Sequence, residues 1–203
     1  MNFIGIKDLN HLIRTASISD EMREFFNKRT KEHIDRVKKY CKKIHNYDNN
    51  RFKELIDRSE EHDASKFENP EMDPYIYITW DYKCKRDGKP FDIPEDIKKQ
   101  MNEATNHHIK HNRHHPEYHC NSIDKNMINR ENRDAIPDKI IDATKMPELD
   151  ISEMCADWMA MSEEVGGSPI DWAKKNINKR WKFDKKQEDL IYELLENIWN
   201  SED

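Results

Sequence analysis

PEDIKKQMNEATNHHIKHN, Pro94 to Asn112, begins as an amphipathic helix and ends as something else. Pro94 suits a first helical turn, where a backbone N–H has no intrahelical partner. From there Ile97, Met101, Ala104, His108, His111 and His115 recur at steps of four and three, the spacing of a single helical face. The apolar residues give way to imidazoles on that face. Pro116 disfavours helical geometry at His115, so the helix is expected to end near there. Six of the ten histidines fall between Asn106 and His119. Such a run is either a solvated helix end or one wall of a site, and the rest of the chain decides which.

Composition sets the frame. A chain of 203 residues is long enough for one well-buried domain and short for two. It is polar, 37% charged and 35% apolar, yet five tryptophans and recurrent Leu/Ile/Met stripes supply a core. Four glycines disfavour glycine-rich phosphate loops and tight β-turns and favour helices. The net charge of −6 has both signs interspersed, with no basic block to serve as a footprint on duplex nucleic acid. An anionic ligand would have to be attracted by metal ions or by a few cationic side chains. Cys41, Cys84, Cys120 and Cys155 form no C-x-x-C pair, which speaks against disulfides and zinc fingers. The start, MNFIGIKDLN, lacks the pattern of a signal peptide, and no stretch approaches the ~18 apolar residues of a membrane span. The expected setting is cytoplasmic, the host cytoplasm if the Lys/Asn/Ile-rich chain is phage-encoded.

On either side of this stretch the chain reads as helices joined by short polar connectors. SDEMREFFNKRTKEHIDRVKKYCKKI opens with Ser19 as a cap and carries Phe26, His33, Val37, Cys41 and Ile44 on one stripe. NNRFKELIDRSEEHDASKF gives a second helix, with His62 and Asp63 at its C-terminal end. Residues 121–148 are irregular, with one short helix expected around Ile140. DISEMCADWMAMSEEVGG is a helix stopped by its glycine pair, with Asp157 between the inward-facing Met154, Trp158 and Met161. SPIDWAKKNINKRW and DKKQEDLIYELLENIW close the chain, the last expected to pack as a lid on the core. The fold class is all-α: one domain over 1–203, a bundle of about six to eight helices, with its core at about 30–165 and C-terminal helices over 168–200.

Taken singly, these polar residues have ordinary explanations. His33 on a stripe can be a hydrogen-bonded core histidine, Lys66 a solvated lysine, and His11 and His45 surface residues. Asp157 is harder to dismiss, because an unpaired carboxylate on an apolar face needs a cation or strong donors. Together they change the balance. Four helices each bring imidazole or carboxylate inward: His33, then His62-Asp63, then His108/His111/His115, then Asp157. Such a mixed set suits a divalent transition metal (Mn, Fe, Zn, Ni or Co), and a bridging aspartate can hold two ions ~3.5–4 Å apart.

The order His33, His62-Asp63, Asp157 resembles the HD-domain metal-dependent phosphohydrolase superfamily. With histidines inserted before the last Asp, it resembles the H…HD…H…H…D subset, whose members bind two metals. HDASK, His62 to Lys66, matches the H-D-x-x-K form of its cyclic-dinucleotide phosphodiesterases, but the G-Y-P segment of those enzymes is missing. HDASKFENPEMDPY, HHIKHNRHHPEYH and MCADWMAM are more closely similar to an uncharacterised phage-associated family with HDxSKF, HHPEY and DW motifs. That resemblance covers about residues 30–165. It implies an HD-like bundle in which His33, His62, Asp63 and Asp157 hold a first ion. Asp63 would bridge to a second ion on His108 and one or two of His111, His114 and His115, the stripe preferring His111 and His115. Lys66 would act on the transferring phosphoryl group, and Glu71 would serve as an outer-shell residue or general base. His114 and Tyr75 are further candidates for substrate contact.

The function implied is hydrolysis of a nucleotide or related phosphoester by metal-activated hydroxide. Two other classes share the ligand order: an HD-fold di-iron oxygenase, and a non-catalytic metal- or nucleotide-binding protein. The expected partner is a small-molecule phosphoester, with no membrane. The sequence assigns no oligomeric state.

Overall fold

The computed structural model describes residues 18–120 and 136–201. Within them the chain forms seven α-helices and one two-residue pair of strands: α1 (Asp20–Tyr47), α2 (Leu55–Ser59), α3 (Met72–Arg86), α4 (Glu95–His111), β1 (Ile141–Asp142), α5 (Glu148–Val165), α6 (Pro169–Asn176), β2 (Trp181–Lys182) and α7 (Lys185–Trp199). The all-α expectation holds. His11 and residues 121–135 lie outside the described residues.

The helix ends follow local chemistry. Ser19 Oγ accepts from the Met22 N–H and starts α1. Gly166, with φ 76°, closes α5 in the left-handed conformation that a residue with a Cβ adopts only at a cost. Ser168 caps α6 with Pro169 in its first turn, and Asp184 and Gln187 make a reciprocal capping box for α7.

Four features differ from the sequence expectation. The second helix is short, because turns flank Leu55–Ser59 and a 3-10 turn follows at Ala64–Phe67. No helix forms at Ile140. Instead β1 pairs in parallel with β2, with Ile141 opposite Trp181. The third is α3, which carries no amphipathic stripe to announce it. Residues 74–79, PYIYIT, are all buried, so tertiary packing overrides the poor helix propensity of β-branched and aromatic side chains. The closing helix α7 is part of the core and not a lid over it: Ile191, Leu194 and Leu195 are fully buried.

The core is divided. One apolar cluster joins the C-terminal half of α1 to α2, α5, α6 and α7. A smaller one joins Met22 and Phe26 at the start of α1 to α3 and α4. Between Phe26 and Val37 the buried face of α1 carries Thr30 and His33. A polar seam therefore crosses the interior, and the predicted site residues fall on it. No helix among the described residues is long and apolar enough to cross a membrane, and the cysteines are free thiols.

Candidate metal centre

Asp63 is the hub. Its backbone sits in the left-handed region (φ 58°, ψ 14°), which ends the preceding turns and swings the chain round. Successive residues of a helix point ~100° apart. The reversal at Asp63 instead lets both His62 and Asp63 be buried on the seam. Asp tolerates this conformation better than most residues with a Cβ, because its short side chain can bond locally.

Four imidazoles and a lysine surround the Asp63 carboxylate. Oδ2 lies 3.5 Å from His33 Nε2, 3.6 Å from His62 Nε2 and 2.5 Å from Lys66 Nζ. Oδ1 lies 3.2 Å from His108 Nε2 and 3.7 Å from His114 Nε2. His33 Nε2 is also 3.1 Å from Asp157 Oδ1. Buried His62 Nε2 and Asp63 Oδ1 nevertheless have no hydrogen-bond partner among the described residues. Groups of three potential ligands gather around them: His33, His62 and Asp157 on one side, and His108, His114 and His115 on the other.

The tautomers sharpen the point. His62 Nδ1 is 2.8 Å from Glu153 Oε1, and His108 Nδ1 is 2.8 Å from Glu71 Oε2. An ionised carboxylate only accepts, so each Nδ1 carries the proton and donates it. In the neutral imidazole Nε2 is then a lone pair, and it faces another acceptor, Asp63. Two acceptors at 3.2–3.6 Å repel unless a cation lies near; the Lys66 ammonium serves Oδ2, and a proton or a metal ion would serve between the rings and the carboxylate. Ligand atoms ~2.1 Å from a shared ion lie ~3.0 Å apart at right angles and ~3.4 Å apart at tetrahedral angles. The His33–Asp157 and His108–Asp63 separations of 3.1 and 3.2 Å fall within that range, and the other three, 3.5–3.7 Å, lie just beyond it. Buried His and carboxylate groups here could hold a metal ion.

Charge agrees with geometry. Burial alone would raise the Asp63 carboxyl, but the Lys66 ammonium, then His62 and His108, outweigh it and hold the group well below the usual range. At Asp157 burial is likewise outweighed, here by His33. Burial would raise Glu153 too, yet its bonds to His114 and His62 bring it down to about 2. His33 moves the other way: burial would lower it, and its bonds to Asp157 and Asp63 prevail.

These directions fix how metal-free protein responds to pH. Glu153, depressed from 4.5, contributes stability that is present above 4.5 and lost as pH falls through about 2. His33, raised from 6.5, contributes stability present below 6.5 and lost as pH rises through its raised value. Metal-free protein is therefore expected to melt at lower temperature as pH is raised from 6.5 through the raised His33 value. Protein saturated with a divalent metal should do the reverse, because protons cease to compete for the ligands. Thermal melts of both forms across that range check the pair of slopes; parallel slopes would contradict the assignment.

The structure sorts the predicted residues. His33, His62, Asp63, His108, His115 and Asp157 come together. His114, expected at the substrate, is 3% exposed and stands in the ligand group. His111, preferred by the stripe, is exposed and stands apart from it. Its Nδ1 bonds the His107 carbonyl of its own helix, and its ring stacks on His107. The buried face of α4 in fact runs through Met101, Thr105 and His108, and the step of three to His111 rotates out of it. Beyond His111 the backbone is extended at Asn112 and His115, so loop geometry presents His114 and His115. Glu71 is fully buried with both oxygens taken, by His107 at 2.7 Å and by His108 and Ser65 at 2.8 and 3.0 Å. Those contacts place Glu71 behind His107 and His108, where it orients both rings, the outer-shell role among the two expected of it. Tyr75 is buried, edge-on to His108, with the Lys66 ammonium over its ring. His45 is half-buried on the Phe52 carbonyl.

Sequence reading missed the support behind the ligands. Glu153 lies one turn before Asp157 on α5, and that i, i+4 pair of carboxylates on a mostly apolar helix was the available signal. Arg58 bridges Glu153 (2.9 Å) to the buried Asp150 (2.7 Å). Asp150 also receives Arg113 and His119 from the histidine-bearing loop. Trp181 Nε1 donates to Glu117 at 2.9 Å, tying that loop to β2.

A family model described as Family of unknown function (DUF5662) matches residues 22–201, and the chain belongs to that family. The match includes the two C-terminal helices. No curated protein and no solved structure matches the chain.

Proposed function

We propose that this member of the family is a metal-dependent phosphohydrolase or phosphodiesterase. It acts on a nucleotide or related phosphoester and carries two divalent transition-metal ions in an HD-like site. The observation that carries the reading is the two-sided surround of Asp63: His33, His62 and Asp157 approach one side and His108, His114 and His115 the other. The order His33, His62-Asp63, Asp157 along the chain supports the HD-like assignment.

When bound, such ions supply Lewis acidity, lowering the pKa of water toward neutrality and neutralising phosphoryl charge. The chain's own residues do the rest. Asp63 would serve both positions, since one of its oxygens faces each histidine group. Glu71 keeps His108 in the tautomer that presents Nε2 inward. Lys66 is 18% exposed and pairs with Asp63 while no metal competes for that oxygen. Once Asp63 is engaged elsewhere, the ammonium is free to meet a phosphoryl oxygen or to protonate a leaving alkoxide.

The test is a screen of nucleoside monophosphates, polyphosphates and cyclic or linear dinucleotides. Purified protein is supplied with Mn²⁺, and phosphate or nucleotide release is followed in air and without oxygen. Equal turnover in both, abolished by chelator, is the expected result. Turnover that requires oxygen would favour a di-iron oxygenase, and metal uptake with no turnover on any phosphoester would favour a binding protein.

A further inference from the structure

Glu153 is buried, 3% exposed, and contacts a histidine from each side of Asp63. Its Oε1 lies 2.8 Å from Nδ1 of His62, which belongs to the group with His33 and Asp157. The same oxygen lies 3.5 Å from Nδ1 of His114, which belongs to the group with His108 and His115. The two rings face each other with centroids 4.3 Å apart. Resting on the two-ion reading above, we infer that Glu153 is a shared positioning residue that couples the two ion positions. It holds one histidine of each in the Nε2-presenting tautomer.

His62, His114 and Glu153 also lie close enough to one another to be ligands of a single ion. Two observations argue against that use. The Arg58 guanidinium already sits 2.9 Å from Glu153 Oε2, and a second cation beside it would be repelled. The His62 contact also has hydrogen-bond geometry at 2.8 Å, which an N–H donor gives and a shared ion does not require. With Nδ1 turned to Glu153, the free nitrogens of both rings turn to Asp63, at 3.6 and 3.7 Å.

Coupling follows from sharing. An ion on His62 fixes that imidazole as an Nδ1–H donor, which pins the Glu153 oxygen where His114 needs it. By linkage the reverse holds equally. The support is rigid: Arg58 ties Glu153 to Asp150, which is fully buried and anchors the His114 loop through Arg113 and His119.

Metal-free wild type, Glu153→Gln and Glu153→Asp are titrated with Zn²⁺ and with Mn²⁺ by calorimetry, with bound metal counted after dialysis. Glu153→Gln is expected to weaken both positions together by ~10–100-fold while reaching two ions per chain at saturation. Loss of one ion with the other unchanged would mark Glu153 as a direct ligand and overturn the inference, as would unchanged affinity at both positions. A wild type that binds fewer than two ions would defeat the two-ion reading and this inference with it. Two ions in wild type with an unaffected variant would defeat this inference alone. If the variants do not fold, nitrogen-detected NMR of imidazoles in zinc-loaded wild type decides. Protonated Nδ1 on both His62 and His114 is expected, and an Nε2–H form on either would refute the role.

Discussion

Asp63→Ala is expected to leave the chain without bound transition metal at either position and to lower turnover by about 10³-fold or more. The size of the effect follows from the hub geometry: both Asp63 oxygens face imidazole nitrogens, Oδ2 on one side and Oδ1 on the other. Any other substitution in the group removes a ligand from one position. On the two-ion reading, Asp63→Ala would remove one from each and also the charge that balances two cations. Losses of this order are typical when a residue that acts as part of a unit is deleted. Asp63→Asn keeps the shape and should behave almost as badly, since an amide is a far weaker bridge than a carboxylate. Circular dichroism and elemental analysis of both variants, beside Asp157→Ala, make the check. An Asp63 variant that retains two ions would show that the carboxylate is no bridge.

The second large effect is at Lys66. Lys66→Ala is expected to lower turnover by about 10²–10³-fold, the cost of losing one well-placed charge-stabilising donor. Metal affinity should be unchanged or slightly higher, because in metal-free protein the ammonium competes for Asp63 Oδ2. The sign separates two roles. If Lys66 only clamped Asp63 in place, its removal would weaken metal binding and spare the chemistry per bound ion. Steady-state kinetics on metal-saturated protein, with an affinity titration alongside, distinguishes them, and full turnover in Lys66→Ala would end the catalytic assignment.

Much of the seam was legible in the sequence, for a physical reason. His33 and Asp157 lie within long helices, where a period of 3.6 tells which side chains face the core. His62 and Asp63 were legible as a dipeptide, though not the left-handed turn that presents both. His111 and His114 mark the limit. Periodicity holds only while the helix does, and α4 stops at His111, so the orientations of His114 and His115 belong to a loop that helical spacing does not describe. The helix α3 was hidden because burial on all sides leaves no stripe. Glu153 was within reach, since a carboxylate one turn from Asp157 needs a partner for the same reason Asp157 does. Its partners, His62 and Arg58, lie some 90 residues earlier in the chain, and only the fold brings them to it.

On the proposed reading, Asp63 bridges two ions held by two histidine groups. The most direct test is a crystal of protein loaded with Mn²⁺ or Zn²⁺, with anomalous scattering measured at the metal edge. Two peaks are expected ~3.5–4 Å apart, each ~2.0–2.2 Å from an Asp63 oxygen. One peak should have His33, His62 and Asp157 around it, and the other His108, His114 and His115. A single peak among His62, His114 and Glu153, or no peak in loaded crystals, would contradict the account.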